Sequence, residues 1–132
     1  VDIQRCFPVM VQLRTHLEED QFVEQVRRQQ QHGFQLAFAE DGGEVRAVAG
    51  FRIGESLSWG RYFYVDDFVT NADDRSKGFG SQLFDWLADR GRSEGCNYLH
   101  LDSGVHRVTA HRFYYLKGMA ITGHHLSLKL TS

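Results

Sequence analysis

The stretch Arg75-Ser76-Lys77-Gly78-Phe79-Gly80-Ser81 gathers two cations, two glycines and two hydroxyls within seven residues. Glycines let a backbone approach a ligand closely. Where such a loop opens a helix, unpaired N–H groups and the helix dipole attract phosphate, and Arg75 and Lys77 add charge at the same place. The chemistry implied is the holding of a phosphorylated ligand. A Walker loop needs four residues between its glycines and a Gly-Lys-Ser/Thr ending, and this loop has neither. A dinucleotide fingerprint needs a third glycine where Leu83 stands, in a first βα turn. Neither motif applies.

Two carboxylates, Asp66 and Asp67, stand side by side in the aromatic and β-branched run from Arg61 to Thr70. An ordinary Asp titrates at about 3.9 and an alkyl ammonium at about 10.4, so a water relay or attraction of a cation suits such a pair better than direct proton abstraction. Successive residues of a strand point to opposite faces, so at most one of the two is expected in a cleft, and Asp66 is the one expected there. Near the other end, Ala110, Phe113, Tyr114 and Lys117 share a helix face. A phenol titrates at about 10 and a thiol at about 8.5, so a tyrosine there could protonate a departing thiolate. On pattern alone Tyr114 reads as a core aromatic, with Tyr115 facing elsewhere. The seven histidines include no HExxH and no i, i+4 pair, so no metal is expected. His100 falls in what reads as a central strand, either buried and neutral or lining a cleft. Trp59, Tyr62 and Phe63 are candidates for a pocket wall, although such aromatics are more often core or sheet surface.

These residues need elements to position them. Ile3, Cys6, Phe7, Met10, Leu13 and Leu17 recur at helical spacing, with Pro8 marking either a start or a kink. A second helix follows Glu18, with Phe22, Val23 and Val26 on its apolar face and Gly33 beyond its end. The period then changes to strands at Phe34–Glu40, Val45–Ile53 and Arg61–Thr70, an antiparallel meander whose first turn is Asp41–Glu44. A helix from about Gly78 to Ser93 buries Phe79, Leu83, Trp86 and Leu87. Strand Tyr98–Ser103, helix Ala110–Lys117 and strand Ile121–Leu130 complete the chain. The third strand, its helix and the next strand make a βαβ unit with parallel strands. The fold class is therefore α/β (α+β), a mixed, mostly antiparallel sheet flanked by helices.

At 132 residues, with 42% hydrophobic and 24% charged, the chain suits a single domain over residues 1–132 and excludes a disordered tail or a collagen-like repeat. The net charge of −2 carries no block of one sign, which argues against nucleic acid as a partner. No apolar run reaches the roughly 20 residues of a membrane span, so no membrane partner is expected. Cys6 and Cys96 cannot form a disulfide framework, which fits a reducing, cytoplasmic location. The chain begins at Val1 rather than Met, which fits a natural segment lying before it.

The pattern Arg-x-x-Gly-x-Gly after a meander strand, at Arg75 to Gly80, resembles the pyrophosphate loop of the GNAT superfamily of N-acetyltransferases. Tyr64-Val65-Asp66-Asp67-Phe68-Val69-Thr70 resembles its fourth strand, and Ala110 to Met119 resembles its closing Ala-x-x-(apolar)-Tyr-x-x-x-Gly-Phe motif. The resemblance spans roughly residues 34 to 120. Arg107 stands where the superfamily commonly has Asn, Met119 where it has Phe, and the superfamily's first strand is either absent or lost with a segment before Val1. The resemblance implies acetyl-CoA as co-substrate, bound along Phe68, Val69 and Thr70 and at Arg75 to Ser81. It implies Tyr114 as general acid, Asp66 or Asp67 on the acceptor side, and a small-molecule or protein amine as acceptor. Homodimers occur in the superfamily. A non-catalytic acyl-CoA-binding module on the same fold is the alternative, and an unrelated α/β interaction domain the weaker rival.

Overall fold

Residues 2–131 are described by the structure, a computed structural model. In chain order the elements are α1 (Asp2–Leu13), α2 (Glu19–Gln30), β1 (Gln35–Asp41), β2 (Glu44–Ser56), β3 (Gly60–Thr70), a 3-10 turn (Ala72–Asp74), α3 (Phe79–Ser93), β4 (Tyr98–Leu101) and α4 (Val108–Leu116). The chain divides into two compact units, the first ending at Leu101 and the second beginning at Asp102.

In the first unit the four strands form one sheet in the order β1-β2-β3-β4. The meander is antiparallel as expected, and β4 joins β3 in parallel through α3. Alternation along β2 divides the core. Val48 faces Cys6, Val9 and Met10 of α1 and Phe22 and Val26 of α2. Its neighbours Ala47 and Ala49 face the opposite way, toward Leu83 and Leu87 of α3. Helix α1 continues through Pro8, so the helix does not start there.

Several expectations need correction. Trp86 is 46% exposed while Phe84 is buried, because the sheet-facing stripe runs through Leu83, Leu87 and Gly91 and leaves Trp86 at its margin. Phe63 is fully buried and stacks on Phe51 at 4.6 Å between ring centroids, so it is core and lines no pocket. His100 lies on an edge strand rather than a central one. It stacks on Trp59 at 3.7 Å, and burial holds its pKa below the usual value.

The second unit holds α4. Its C-terminus closes with Gly118 at φ +90°, the Gly118 N–H donating to Tyr115 O and the Met119 N–H to Tyr114 O, the paired bonds of a Schellman motif. The strand expected at Ile121–Leu130 is not formed. Leu126, Leu128 and Leu130 do alternate, which is the strand signal, but each is exposed. Alternation proposes a strand, whereas only pairing with a neighbour makes one.

Candidate functional site

Strand β3 and the loop after it bring the glycine-rich stretch against the sheet. Pairing with β4 covers only Tyr62 to Val65, opposite Tyr98 to Leu101. From Asp66 to Thr70, β3 runs on past the end of β4, and Phe68, Val69 and Thr70 lie on this extension. The 3-10 turn and loop then lead into α3.

Two features shape the start of α3. Gly78 occupies the N-cap position at φ +91°, a conformation L side chains rarely adopt, and no side chain caps the helix. The helix therefore begins with N–H groups that have no intrahelical acceptor. Gly80 packs so closely on β3 that a Cβ there would sit 2.7 Å from Thr70 Oγ1. The helix start and the C-terminal end of β3 are thus immediate neighbours. Ser76 also lies in the left-handed region, at φ +67°.

Asp74 fixes this loop. It is 2% exposed and accepts hydrogen bonds from Asn71 Nδ2 at 2.7 Å, Arg46 Nη1 at 3.2 Å and Lys77 Nζ at 3.3 Å. The Asn71 bond, followed by those from Arg46 and Lys77, holds its carboxyl below the usual range despite the opposing effect of burial. Part of the Lys77 charge is thereby spent within the protein. Arg75 forms no ion pair among the described residues, so it is the cation left over for an anionic ligand. Asp74 and Arg46 did not stand out in the sequence, where they are one acidic and one basic residue 28 positions apart.

The two carboxylates depart from simple alternation. Gly50 pairs with Asp67 and Phe51 with Val65, leaving Asp66 in a bulge without an opposite residue. Both side chains are consequently held by arginines on the face of the sheet that α1 covers. Arg52 forks onto Asp66 at 2.8 and 2.9 Å and lies over the Tyr64 ring. Arg14 of α1 donates from Nε to Asp67 Oδ1 and from Nη2 to Asp66 O, each at 2.9 Å. The expectation that they face opposite ways fails because a bulge inserts one residue into the strand. Asp67 is the more enclosed, its side chain 17% exposed against 27% for Asp66. It also lines a cavity between α1, α2 and the sheet. Arg14 had a sequence signal: a cation on the apolar helical stripe with Met10 and Leu17.

Burial pushes the Asp67 carboxyl above its usual range, and Arg14 only partly offsets this. A raised folded-state pKa means a contribution that is fully present below the unfolded value of about 3.9 and lost as pH rises through the folded one. At pH 7 the ionised group therefore works against folding. Asp67→Asn keeps an acceptor for Arg14 Nε and removes the buried charge, and Arg14 itself is 43% exposed. The variant should unfold at the same or a higher temperature at pH 7, with a flatter stability profile as pH rises above the ordinary carboxylate value. A loss of about 1 kcal/mol, roughly 4 °C in a chain of this size, contradicts this.

Tyr114 lies in the second unit, on α4, where it is 7% exposed and its ring meets that of Phe113 edge-on at 5.5 Å. Burial raises its pKa, with Arg107 opposing. The phenol thus keeps its proton to a higher pH than a free tyrosine would. Tyr115, its neighbour, is 52% exposed.

Comparison with known proteins identifies the arrangement. The acetyltransferase (GNAT) family profile matches residues 2–119. The chain belongs to that family. As a GNAT protein it is 33% identical over 109 residues to the uncharacterized N-acetyltransferase YhdJ of Bacillus subtilis (strain 168), covering 82% of this chain and 77% of the relative. Among solved structures, a transcriptional regulator from Bacillus halodurans C-125 superposes with a TM-score of 0.87 at 20% identity, over 98% of this chain and 93% of that one. The aminoglycoside N-acetyltransferase AAC(6')-Iy in complex with CoA superposes with a TM-score of 0.83 at 14% identity, over 96% and 87%. At such identities the two structures establish the GNAT fold and nothing narrower. Acetyl transfer is the general activity of the family. Among the described residues no group of three His, Cys, Asp or Glu is arranged to hold a metal, and no helix is long and apolar enough to cross a membrane.

Proposed function

We propose that this GNAT protein takes its acetyl group from acetyl-CoA and delivers it directly to a primary amine of a small molecule or protein. The observation that carries the reading is the stretch of β3 that runs on past the end of β4, beside an uncapped helix start. An extended pantetheine arm adds to Phe68, Val69 and Thr70 as a further strand would. The pyrophosphate lies at the N-terminus of α3, on the backbone of Gly78, Phe79, Gly80 and Ser81, with Ser76 and the cations Arg75 and Lys77 around it. The Val69 N–H polarises the thioester carbonyl. A CoA complex of a protein with this fold supports the same choice of donor.

The acceptor arrives as an ammonium and loses one proton, with Asp67 or Asp66 orienting it or relaying the proton through water. The amine nitrogen bonds to the acetyl carbon, the C–S bond breaks, and the thiolate takes a proton from Tyr114. The amide nitrogen then releases its surplus proton, which restores the phenol. One proton in total passes to solvent. Such a reaction belongs in the cytoplasm, in keeping with two free cysteines.

The donor assignment is tested by calorimetry and thermal unfolding with CoA. Saturable binding should stabilise the chain by about 2.7 kcal/mol at a hundredfold excess over Kd. No binding would overturn the assignment.

A further inference from the structure

The cavity beside Asp67 has a volume of about 180 Å³. Sites for drug-sized ligands run to roughly 300–1,000 Å³, so this one suits a compact molecule. Met10, Leu17, Phe22 and Phe34 make an apolar wall, and Arg14 and Asp67 bring opposite charges to the same lining.

The ion pair between those two leaves hydrogen-bonding capacity unused. Arg14 spends Nε on Asp67 Oδ1 and Nη2 on Asp66 O, so among the described residues its Nη1 and the Asp67 Oδ2 have no partner. Space for Oδ2 depends on Gly50, where a Cβ would stand 2.7 Å from it and 2.4 Å from the Phe34 ring. The ion pair therefore keeps one unused carboxylate oxygen and one unused guanidinium nitrogen. A purely cationic acceptor finds little net charge here, since Arg14 compensates Asp67 and Arg52 compensates Asp66. A molecule carrying an ammonium and a carboxylate on neighbouring atoms satisfies both groups, and an apolar side chain fits the wall.

We propose that this cavity binds a small apolar α-amino acid, its ammonium on Asp67 Oδ2 and its carboxylate on Arg14 Nη1, as the acceptor in acetyl transfer. The acceptor role rests on the acetyltransferase reading above. Asp67 lies on β3, the strand whose Phe68, Val69 and Thr70 backbone is assigned to the donor. The amine of the amino acid forms the new C–N bond, CoA leaves as the thiol, and the product is the N-acetyl amino acid.

The test is calorimetric titration of the full chain with L-leucine, L-leucinamide and 3-methylbutylamine, with thiol release from acetyl-CoA measured for each. Leucine should bind at least about tenfold more tightly than either analogue, as loss of one charged hydrogen bond implies. Arg14→Met should lower leucine affinity about tenfold and leave leucinamide unaffected or improved, because Asp67 then lacks its counter-charge. Should Arg14→Met fail to fold, the leucine-to-leucinamide ratio of the unaltered chain carries the test alone. Equal affinities, or acetylation of another amine with leucine neither bound nor acetylated, overturn this inference and leave the transferase reading intact. Leucine bound with no amine acetylated overturns the acceptor role together with the transferase reading.

Discussion

Gly80→Asp is expected to abolish measurable CoA binding. The substituted Cβ meets Thr70 Oγ1 at 2.7 Å, on a β-branched side chain with little freedom to retreat. The helix start must then move off β3, and overpacking of this kind costs about 1–3 kcal/mol. The carboxylate also brings negative charge to the place where a diphosphate should lie, and itself takes up the helix dipole's attraction for an anion. Both effects act on the same few atoms, which makes this the most damaging single change to the donor site. Arg75→Gln separates binding from folding. Arg75 holds no ion pair among the described residues, so its loss removes only the cation. That variant should keep its unfolding temperature and lose about tenfold in CoA affinity, the worth of one charged hydrogen bond. Undiminished CoA affinity in Gly80→Asp, measured by calorimetry on folded protein, contradicts the loop assignment.

Tyr114→Phe should lower kcat by about 10²–10⁴-fold, the usual range for a lost general acid, with CoA affinity nearly unchanged. The change removes one oxygen from a side chain that is already 7% exposed, so the fold should survive it. Burial raises the Tyr114 pKa, so the acid form persists through neutral and mildly alkaline pH. Turnover should therefore fall only at a pH above that of a free phenol, and this alkaline limb should vanish in the variant. Single-turnover thiol release across pH gives both readings. Equal turnover by Tyr114→Phe removes the acid assignment and passes the role to another donor.

The sequence made the donor side more legible than the acceptor side, for a physical reason. A glycine-rich helix start is a local device: Gly78, Gly80 and Arg75 lie within six residues, and their pattern survives in one dimension. The meander, α3 and α4 are legible through periodicity in the same way. The acceptor side is built from pairs distant in the chain, such as Arg14 with Asp67, 53 residues apart. The bulge at Asp66 is a mismatch between two strands, and neither strand alone announces it. The same limit explains Ile121–Leu130, whose alternation is correct for a strand while its pairing is missing. Both acidic residues pointed in sequence to a cationic acceptor. Their arginine partners, whose pairing with them the sequence does not announce, replace that with a nearly neutral lining.

Amine-dependent thiol release from acetyl-CoA tests the central claim most directly. Purified chain, acetyl-CoA and a panel of amines including L-leucine and spermidine should yield free CoA and N-acetylated product in equal amounts, only when protein and a suitable amine are both present. CoA binding without turnover on any amine would mark a non-catalytic acyl-CoA-binding module, and neither binding nor turnover would contradict the account altogether.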